Sequence, residues 1–161
     1  MENQELISKL FKSIKLASNE EFNQFEDSLI ELEKTIKIDD IYELCKVFYD
    51  NTECEEVMFG LVHLIEKFAS EEYLRYIAIC SPNMVDGYNW SMTLNKRILN
   101  SNNYFHKYVE VLTNIESSYK TKILKLLIDI KNDNNIKFGK RLYYRKGWKF
   151  MIRFNILHYN I

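Results

Sequence analysis

Glycine and proline are scarce in this chain, which has four glycines and one proline among its 161 residues. The turns of β-sandwiches and barrels rely heavily on these two residues, so a turn-rich all-β fold is disfavoured. Hydrophobic residues make up 47% and charged residues 28% of the chain, which is typical of a globular protein with one buried core. The sequence therefore predicts a mainly α single domain of helices joined by short loops.

Apolar residues recur at helical spacing through the first 134 residues and predict about eight helices. The first four are residues 3–17, a helix capped by Ser18 or Asn19, a helix from Asp39 or Asp40 to about Phe48, and a helix from Thr52 to Phe68. The last four are residues 70–79, ended at Ser81-Pro82, a helix from Met84 or Tyr88 to Leu99, a helix from about Tyr104 to Leu112, and a helix from about Tyr119 to Ile130. Short loops would stack such helices as antiparallel hairpins, as in HEAT repeats, although no fixed period is visible.

The start of the fourth predicted helix contains a local signal. Thr52 is followed three residues later by Glu55, which is the spacing of a capping box. The helix beyond it is apolar on two sides, with Val57 and Leu61 on one stripe and Met58 on the other. We therefore expect this helix in the centre of the fold.

The C-terminal segment, residues 135–161, differs from the rest of the chain. From Trp148 to Ile156 every second residue is aromatic or isoleucine, and Arg145-Lys146-Gly147 could turn an incoming strand back. This pattern predicts a C-terminal β-hairpin packed on the helical domain of residues 1–134, with one long helix as the alternative.

Charge is distributed unevenly along the chain. All 23 acidic residues precede residue 135 together with 15 of the 22 bases, which leaves the first 134 residues at −8 and the remainder at +7. The acidic first 134 residues are suited to binding a basic partner. The basic aromatic tail would alternatively suit a nucleic-acid strand, since bases stack on aromatic rings and phosphates pair with Lys and Arg.

Motifs of catalysis, metal binding and nucleotide binding are missing. His63, His106 and His158 are far apart, and the chain has no CxxC or HExxH spacing. The glycines are isolated, so no glycine-rich loop can hold a phosphate. Glu56, His63 and Glu66 could share a helical face, but an HxxE spacing alone is not specific for acid–base chemistry. The sequence therefore predicts no enzyme and no cofactor or metal, and it indicates no small-molecule substrate.

The sequence also predicts a cytosolic protein. No stretch of 18 apolar residues is present, and the N-terminus has acids where a signal peptide has basic residues. Three cysteines, Cys45, Cys54 and Cys80, are an odd number at irregular spacing. They are expected to be reduced and mostly buried.

Two segments carry a resemblance to a known family. The first, residues 50–74, begins DNTECEEVMFGLVHLIEKF, and the second, residues 90–112, begins WSMTLNKRILN. Together they resemble the immunity protein 30 family of bacterial polymorphic toxin and contact-dependent growth inhibition systems. The matching positions are Asp50, Thr52, Glu56, Val57, Met58, His63, Glu66, Trp90, Arg97, Ile98, Leu99 and Asn100.

The resemblance implies a cytosolic antitoxin that binds and blocks a cognate toxin domain, without catalysis, a cofactor or a membrane. Toxin domains of such systems are often nucleases, whose active sites are basic because they bind phosphates. The hypothesis is that acids at the start of the fourth helix contact the toxin. These acids are Asp50, Glu53, Glu55 and Glu56.

The other family positions are interpreted as structural. These are His63, Glu66, Trp90, Arg97 and Asn100. His63 is expected to be partly buried and bonded to a carboxylate, and a buried Arg97 is expected to pair with Glu56 or Glu66. Two other functions stay open at this point, a nucleic-acid-binding module that uses the basic tail and a helical adaptor with another partner; an enzyme ranks third.

Overall fold

The computed structural model describes residues 2–133, which fold into eight α-helices without a β-strand. The helices are α1 (Glu2–Lys12), α2 (Asn19–Thr35), α3 (Ile41–Leu44), α4 (Glu55–Glu66), α5 (Glu71–Cys80), α6 (Tyr88–Leu99), α7 (Asn102–Asn114) and α8 (Ser117–Asn132). Two 3-10 turns, Ile38–Asp40 and Ser81–Asn83, precede α3 and follow α5. The mainly α prediction is confirmed, whereas the predicted C-terminal hairpin and the rest of residues 135–161 lie outside the described residues.

Local signals in the sequence mark several helix ends correctly. The Ser18 hydroxyl accepts a hydrogen bond from the backbone N–H of Glu21 at the start of α2. Ser70 does the same for Tyr73 at the start of α5. Pro82 stands just after the end of α5, in a 3-10 turn. These signals work because each acts within one helical turn of the residues it controls.

Helices α1, α3 and α4 are shorter than predicted. Helix α1 ends at Lys12 rather than at residue 17, and Leu16 then adopts a left-handed backbone with φ of 54° while its side chain is buried. Helix α3 is a single turn, yet Cys45 and Phe48 beyond it are buried as expected. Hydrophobic spacing thus identifies buried residues here even where the backbone leaves the helix.

The predicted capping box at Thr52 is wrong. Helix α4 begins at Glu55, and its first flanking residue, Cys54, caps no backbone group through its side chain. The backbone N–H of Asp50 donates to the carbonyl of Asp86 at 2.7 Å, and that of Glu53 donates to the carbonyl of Lys15 at 2.9 Å. Because these bonds hold the loop against two other parts of the chain, the helix begins only after it.

Helix α5 lies in the middle of the packing. It contacts α3, α7 and α8, while α4 packs on α2 and α3, and α6 packs on α7 and α8. Helix α1 pairs with α2 at the N-terminal end. Six of the twelve residues of α4 are buried. In the described part of the chain, no helix is both long and apolar enough to cross a membrane.

The three cysteines are free thiols. Cys45 and Cys80 are buried and Cys54 is half-buried. A hydrogen bond with Cys80, together with burial, raises the pKa of the Cys45 thiol, which therefore stays protonated.

Candidate functional site

Asp50 is a helix cap supplied from a distant part of the chain. Its carboxylate accepts hydrogen bonds from the backbone N–H of Asn89 at 3.0 and 3.1 Å and from that of Trp90 at 3.4 Å. Gly87, the residue that precedes α6, has no side chain with which to cap the helix. Asp50 therefore satisfies the free N–H groups of α6 and places a negative charge at its positive end.

Replacing Asp50 by alanine should lower the free energy of unfolding by about 1–2 kcal/mol, the usual cost of losing a charged helix cap. Asn51→Ala is a matched control, since Asn51 is exposed in the same loop. Urea unfolding followed by circular dichroism measures the free energy of unfolding of both variants. Equal effects of the two substitutions would show that the carboxylate does not act as a cap.

The three remaining acids of the predicted contact lie together at the start of α4. Glu55 and Glu56 are its first two residues, Glu53 precedes them, and all three are exposed. Within residues 2–133 their carboxylates have no ion-pair partner. Negative charge in the first turn of a helix is favoured by the helix dipole, so these acids do not destabilise α4.

A small cleft adjoins this acidic turn, between α2 and α4. It has a volume of about 250 Å³, and its walls include Phe22, Leu29 and Gly60. Glu26 of α2 and Glu56 of α4 are also part of its lining. An apolar floor beside two carboxylates is suited to the stem and head of a lysine or arginine from another molecule. No sequence pattern indicates Glu26, because its position depends on how α2 packs on α4.

Trp90 is a core residue of α6 that links it to the loop before α4. Its indole N–H donates to the carbonyl of Tyr49 at 3.1 Å, and only 6% of the residue is exposed. The ring of Phe59 on α4 meets it edge to face, with 5.0 Å between ring centroids, and Phe48 packs nearby. Trp90 therefore holds α6 against α4 through Phe59, and against the segment before α4 through Phe48 and the Tyr49 carbonyl.

Farther along the same two helices, Glu66 and Arg97 form a two-pronged ion pair. The Arg97 Nε and Nη2 groups donate to the two carboxylate oxygens of Glu66 at 2.6 and 2.7 Å. The hydrogen bond to Glu66 raises the pKa of Arg97. Glu66 is one of the two partners expected for Arg97, but the expected burial is wrong. The arginine side chain is 42% exposed, because it reaches across the surface from α6 to α4.

His63 differs from its prediction. It is exposed rather than partly buried, and its described contact is with the ring of Phe59, at 6.4 Å between centroids. It does not hydrogen-bond to a carboxylate within the described part of the chain. Glu66 lies one turn after His63 on α4, but its carboxylate bonds to Arg97 and not to His63.

A second cleft, of about 490 Å³, opens beside the ion pair; we call it the Arg97 cleft. It is lined by Glu66, Tyr73, Arg97, Ile98, Asn100, Ser101 and Tyr104. The Tyr73 hydroxyl oxygen is buried and has no hydrogen-bond partner among the described residues. Sequence reasoning overlooked Tyr73, because its spacing on α5 is simply that of a core residue.

Among the described residues, no group of three or more His, Cys, Asp or Glu side chains is arranged to hold a metal ion. The polar residues singled out by sequence thus fall into two places on α4 and α6. The acidic turn lies at the start of α4, and the Arg97 cleft lies at the C-terminal ends of α4 and α6. Asp50 and Trp90 connect the two helices near their N-terminal ends.

Comparison with known proteins identifies a family. The family model described as Immunity protein 30 matches residues 12–108, more than half of the chain, and this range includes both the acidic turn and the Arg97 cleft. Searches of curated proteins and of solved structures find no match. The HEAT-like stacking therefore stays a prediction.

Proposed function

From the premise that this chain belongs to the immunity protein 30 family, we propose that it binds a cognate bacterial toxin domain in the cytoplasm and neutralises it by direct contact. The toxin domain is proposed to be a nuclease of a contact-dependent inhibition or polymorphic toxin system. The chain acts as a binding protein and not as an enzyme.

The acidic turn at the start of α4 supports this proposal. Glu53, Glu55 and Glu56 are exposed, and within the described region no base of the chain itself neutralises them. A nuclease active site is basic because it holds phosphates, so a fixed group of carboxylates complements it. Opposite charge also speeds the encounter of the two proteins.

The turn is held in a fixed position, which favours binding. The backbone bonds of Asp50 to Asp86 and of Glu53 to Lys15 tie the loop to the body of the protein. The Asp50 carboxylate is itself engaged by α6. We therefore assign the toxin contact to Glu53, Glu55 and Glu56, while Asp50 positions them. A rigid surface loses little conformational entropy when it binds.

The direct test is co-purification of the chain with the toxin domain encoded beside it, together with rescue of growth from that toxin. Within a stable complex, the double variant Glu55→Lys/Glu56→Lys should weaken affinity by roughly ten- to a hundredfold, mainly through slower association. It should also reduce the loss of affinity that salt causes in the wild type. Surface plasmon resonance at low and high ionic strength measures both effects.

Glu71→Lys/Glu72→Lys is the matched control. Glu71 and Glu72 are the first two residues of α5, are exposed, and therefore have the same helical setting as Glu55 and Glu56. The control changes the net charge by the same amount. It also places two lysines in the first turn of a helix, so the unfavourable interaction with the helix dipole is the same in both double variants. If both double variants lost affinity equally, net charge rather than the acidic turn would be responsible. If neither did, the contact would lie elsewhere.

A further inference from the structure

The cleft between α2 and α4, called the α2–α4 cleft below, has an uncharged lining apart from two glutamates. Glu26 belongs to its α2 wall and Glu56 to its α4 wall, and both residues are exposed. Among residues 2–133 neither carboxylate forms an ion pair. The described part of the chain therefore leaves two negative charges unneutralised on the walls of one cleft.

Elsewhere along the same two helices an acid is neutralised internally. Glu33 lies two turns after Glu26 on α2, and its carboxylate pairs with the ammonium group of Lys67, the residue that follows α4. At the cleft, by contrast, the acid of α2 is accompanied by a second acid, Glu56. Like charges on neighbouring walls repel each other, so a cation between them would be stabilised by both.

The lining of the cleft restricts what that cation can be. Phe22 and Leu29 of α2 and Val57 of α4 present apolar surface, which suits the methylene stem of a lysine or arginine while its charged head meets the carboxylates. A calcium ion needs six or more oxygen ligands, and the two carboxylates do not supply them. An apolar side chain would take water from both carboxylates without replacing its hydrogen bonds.

The cleft is continuous with the proposed toxin contact. Glu56 belongs both to the acidic turn and to the lining of the cleft. A basic toxin surface that lies on the turn would therefore also cover the entrance of the cleft. Because such a surface carries lysines and arginines, it offers the kind of side chain that the cleft is suited to receive.

We propose that one lysine or arginine side chain of the toxin domain inserts into the α2–α4 cleft. Its stem lies against Phe22 and Leu29, and its charged head binds to Glu26 and Glu56. The inserted side chain anchors the toxin, while the rest of the acidic turn speeds the encounter. This inference rests on the proposed function, because it takes the toxin as the partner, and it adds Glu26 of α2 to the contact.

Gly60→Ala tests insertion without changing any charge. A Cβ atom at Gly60, on the α4 wall, would lie 3.0 Å from the Cδ1 atom of Leu29 on the α2 wall, so it would narrow the cleft. The gain in helix propensity offsets this contact, and the free protein should stay folded. Affinity for the toxin domain should fall about tenfold, because the inserted side chain meets the added methyl group.

Surface plasmon resonance at low and high ionic strength measures this effect. The salt dependence of Gly60→Ala should match that of the wild type, since both carry the same charges. A Gly60→Ala protein that binds as tightly as the wild type would show that no side chain enters the cleft, and would overturn the proposal.

Glu26→Gln tests the charge, and Asp27→Asn is its matched control. Asp27 is the next residue of α2 and is exposed, but it is not part of the cleft lining. Each substitution removes one negative charge from the same part of the helix. Glu26→Gln should lower affinity about tenfold, as expected for a hydrogen bond to a charged group, whereas Asp27→Asn should lower it less than about twofold. Equal losses would make overall charge responsible and contradict the proposal.

Stability of the free chain distinguishes the toxin from an occupant within the chain itself. With the cleft open, Glu26→Gln relieves repulsion from Glu56, so its melting temperature should equal or exceed that of the wild type. A lower melting temperature would indicate that a base of residues 135–161 already occupies the cleft, and the proposal would be wrong. Differential scanning calorimetry of the full chain gives this measurement.

Double-mutant cycles identify the inserted side chain. Glu26→Gln and Glu56→Gln should both couple to the alanine substitution of the same toxin lysine or arginine, and coupling to two different bases would rule out a shared anchor. If the wild-type chain did not bind the toxin, the proposed function would fall together with the cleft. Tight wild-type binding that neither Gly60→Ala nor Glu26→Gln weakens would overturn the cleft alone.

Discussion

Replacing Gly87 by alanine should lower the free energy of unfolding by about 3 kcal/mol, which corresponds to a fall of roughly 6 to 12 °C in melting temperature. A Cβ atom at this position would lie 2.6 Å from the carbonyl oxygen of Phe48 and 2.7 Å from its Cβ. The backbone angle is not the obstacle, since φ of Gly87 is −122° and is open to any residue. The obstacle is that the backbone at Phe48 cannot move aside.

Phe48 is fixed from several directions. It is 1% exposed and its ring lies 5.8 Å from that of Trp90. Two residues later, Asp50 caps α6 immediately after Gly87. A methyl group at Gly87 would therefore separate Asp50 and Phe48 from the start of α6, so that strain and a lost cap add together.

Gly60→Ala is the control for this prediction. Gly60 lies inside α4, and a Cβ atom there would meet only the Cδ1 atom of Leu29, at 3.0 Å, which is the end of a flexible side chain. Alanine also favours a helix over glycine by about 0.5–1 kcal/mol. The two effects should nearly cancel. Chemical denaturation compares the variants, and a Gly87→Ala protein no less stable than Gly60→Ala would contradict the expected clash.

The second large effect is expected at Asn95, the centre of a buried polar network. Asn95 is fully buried, and its amide donates to the Ser81 hydroxyl at 2.9 Å and to the Ser91 carbonyl at 2.8 Å. Its side-chain oxygen accepts from the Tyr108 hydroxyl at 2.6 Å. One side chain thereby joins α6 to α7 and to the 3-10 turn after α5. Burial raises the pKa of Tyr108, so this donor keeps its proton.

Asn95→Leu keeps a similar volume but makes no hydrogen bonds. The hydroxyls of Ser81 and Tyr108 would lose this partner in the core, and each unpaired buried group costs about 1–3 kcal/mol. We expect a total loss of about 3 kcal/mol in the free energy of unfolding, measured by urea denaturation.

The double variant Asn95→Leu/Tyr108→Phe sharpens this test. Because it removes one of the unpaired hydroxyls, it should be less destabilised than the sum of the two single variants. Strict additivity would show that the hydrogen bond between Asn95 and Tyr108 does not contribute to stability.

Sequence reasoning was most accurate where a signal acts over one helical turn. The caps at Ser18 and Ser70 and the end of α5 before Pro82 follow from side chains and backbone groups within three or four residues of each other. The predicted cap at Thr52 is absent because this loop is controlled by contacts that are not local. The loop is held by residues from two distant parts of the chain, and no local pattern records those bonds.

For the candidate site, sequence indicated which residues to examine but not how they act. Glu66 and Arg97 were both singled out, yet their pairing across 31 positions is a result of how α4 and α6 pack. Asp50 was grouped with exposed acids, whereas its carboxylate caps a helix that begins 38 residues later. Tyr73 was not singled out, because a buried hydroxyl without a partner cannot be recognised before its neighbours are known.

The sequence by itself determined the class of fold. Glycine and proline are too few for many tight turns, and the apolar side chains recur at helical spacing, so they can be buried together only if the chain forms helices. It also determined the family, whose model matches residues 12–108. Only the tertiary structure decided that Glu53, Glu55 and Glu56 stay exposed while the Asp50 carboxylate caps α6, and that Tyr73 lies unpaired beside an ion pair. Helix formation depends on neighbours along the chain, whereas burial and pairing depend on contacts between residues that are distant along it.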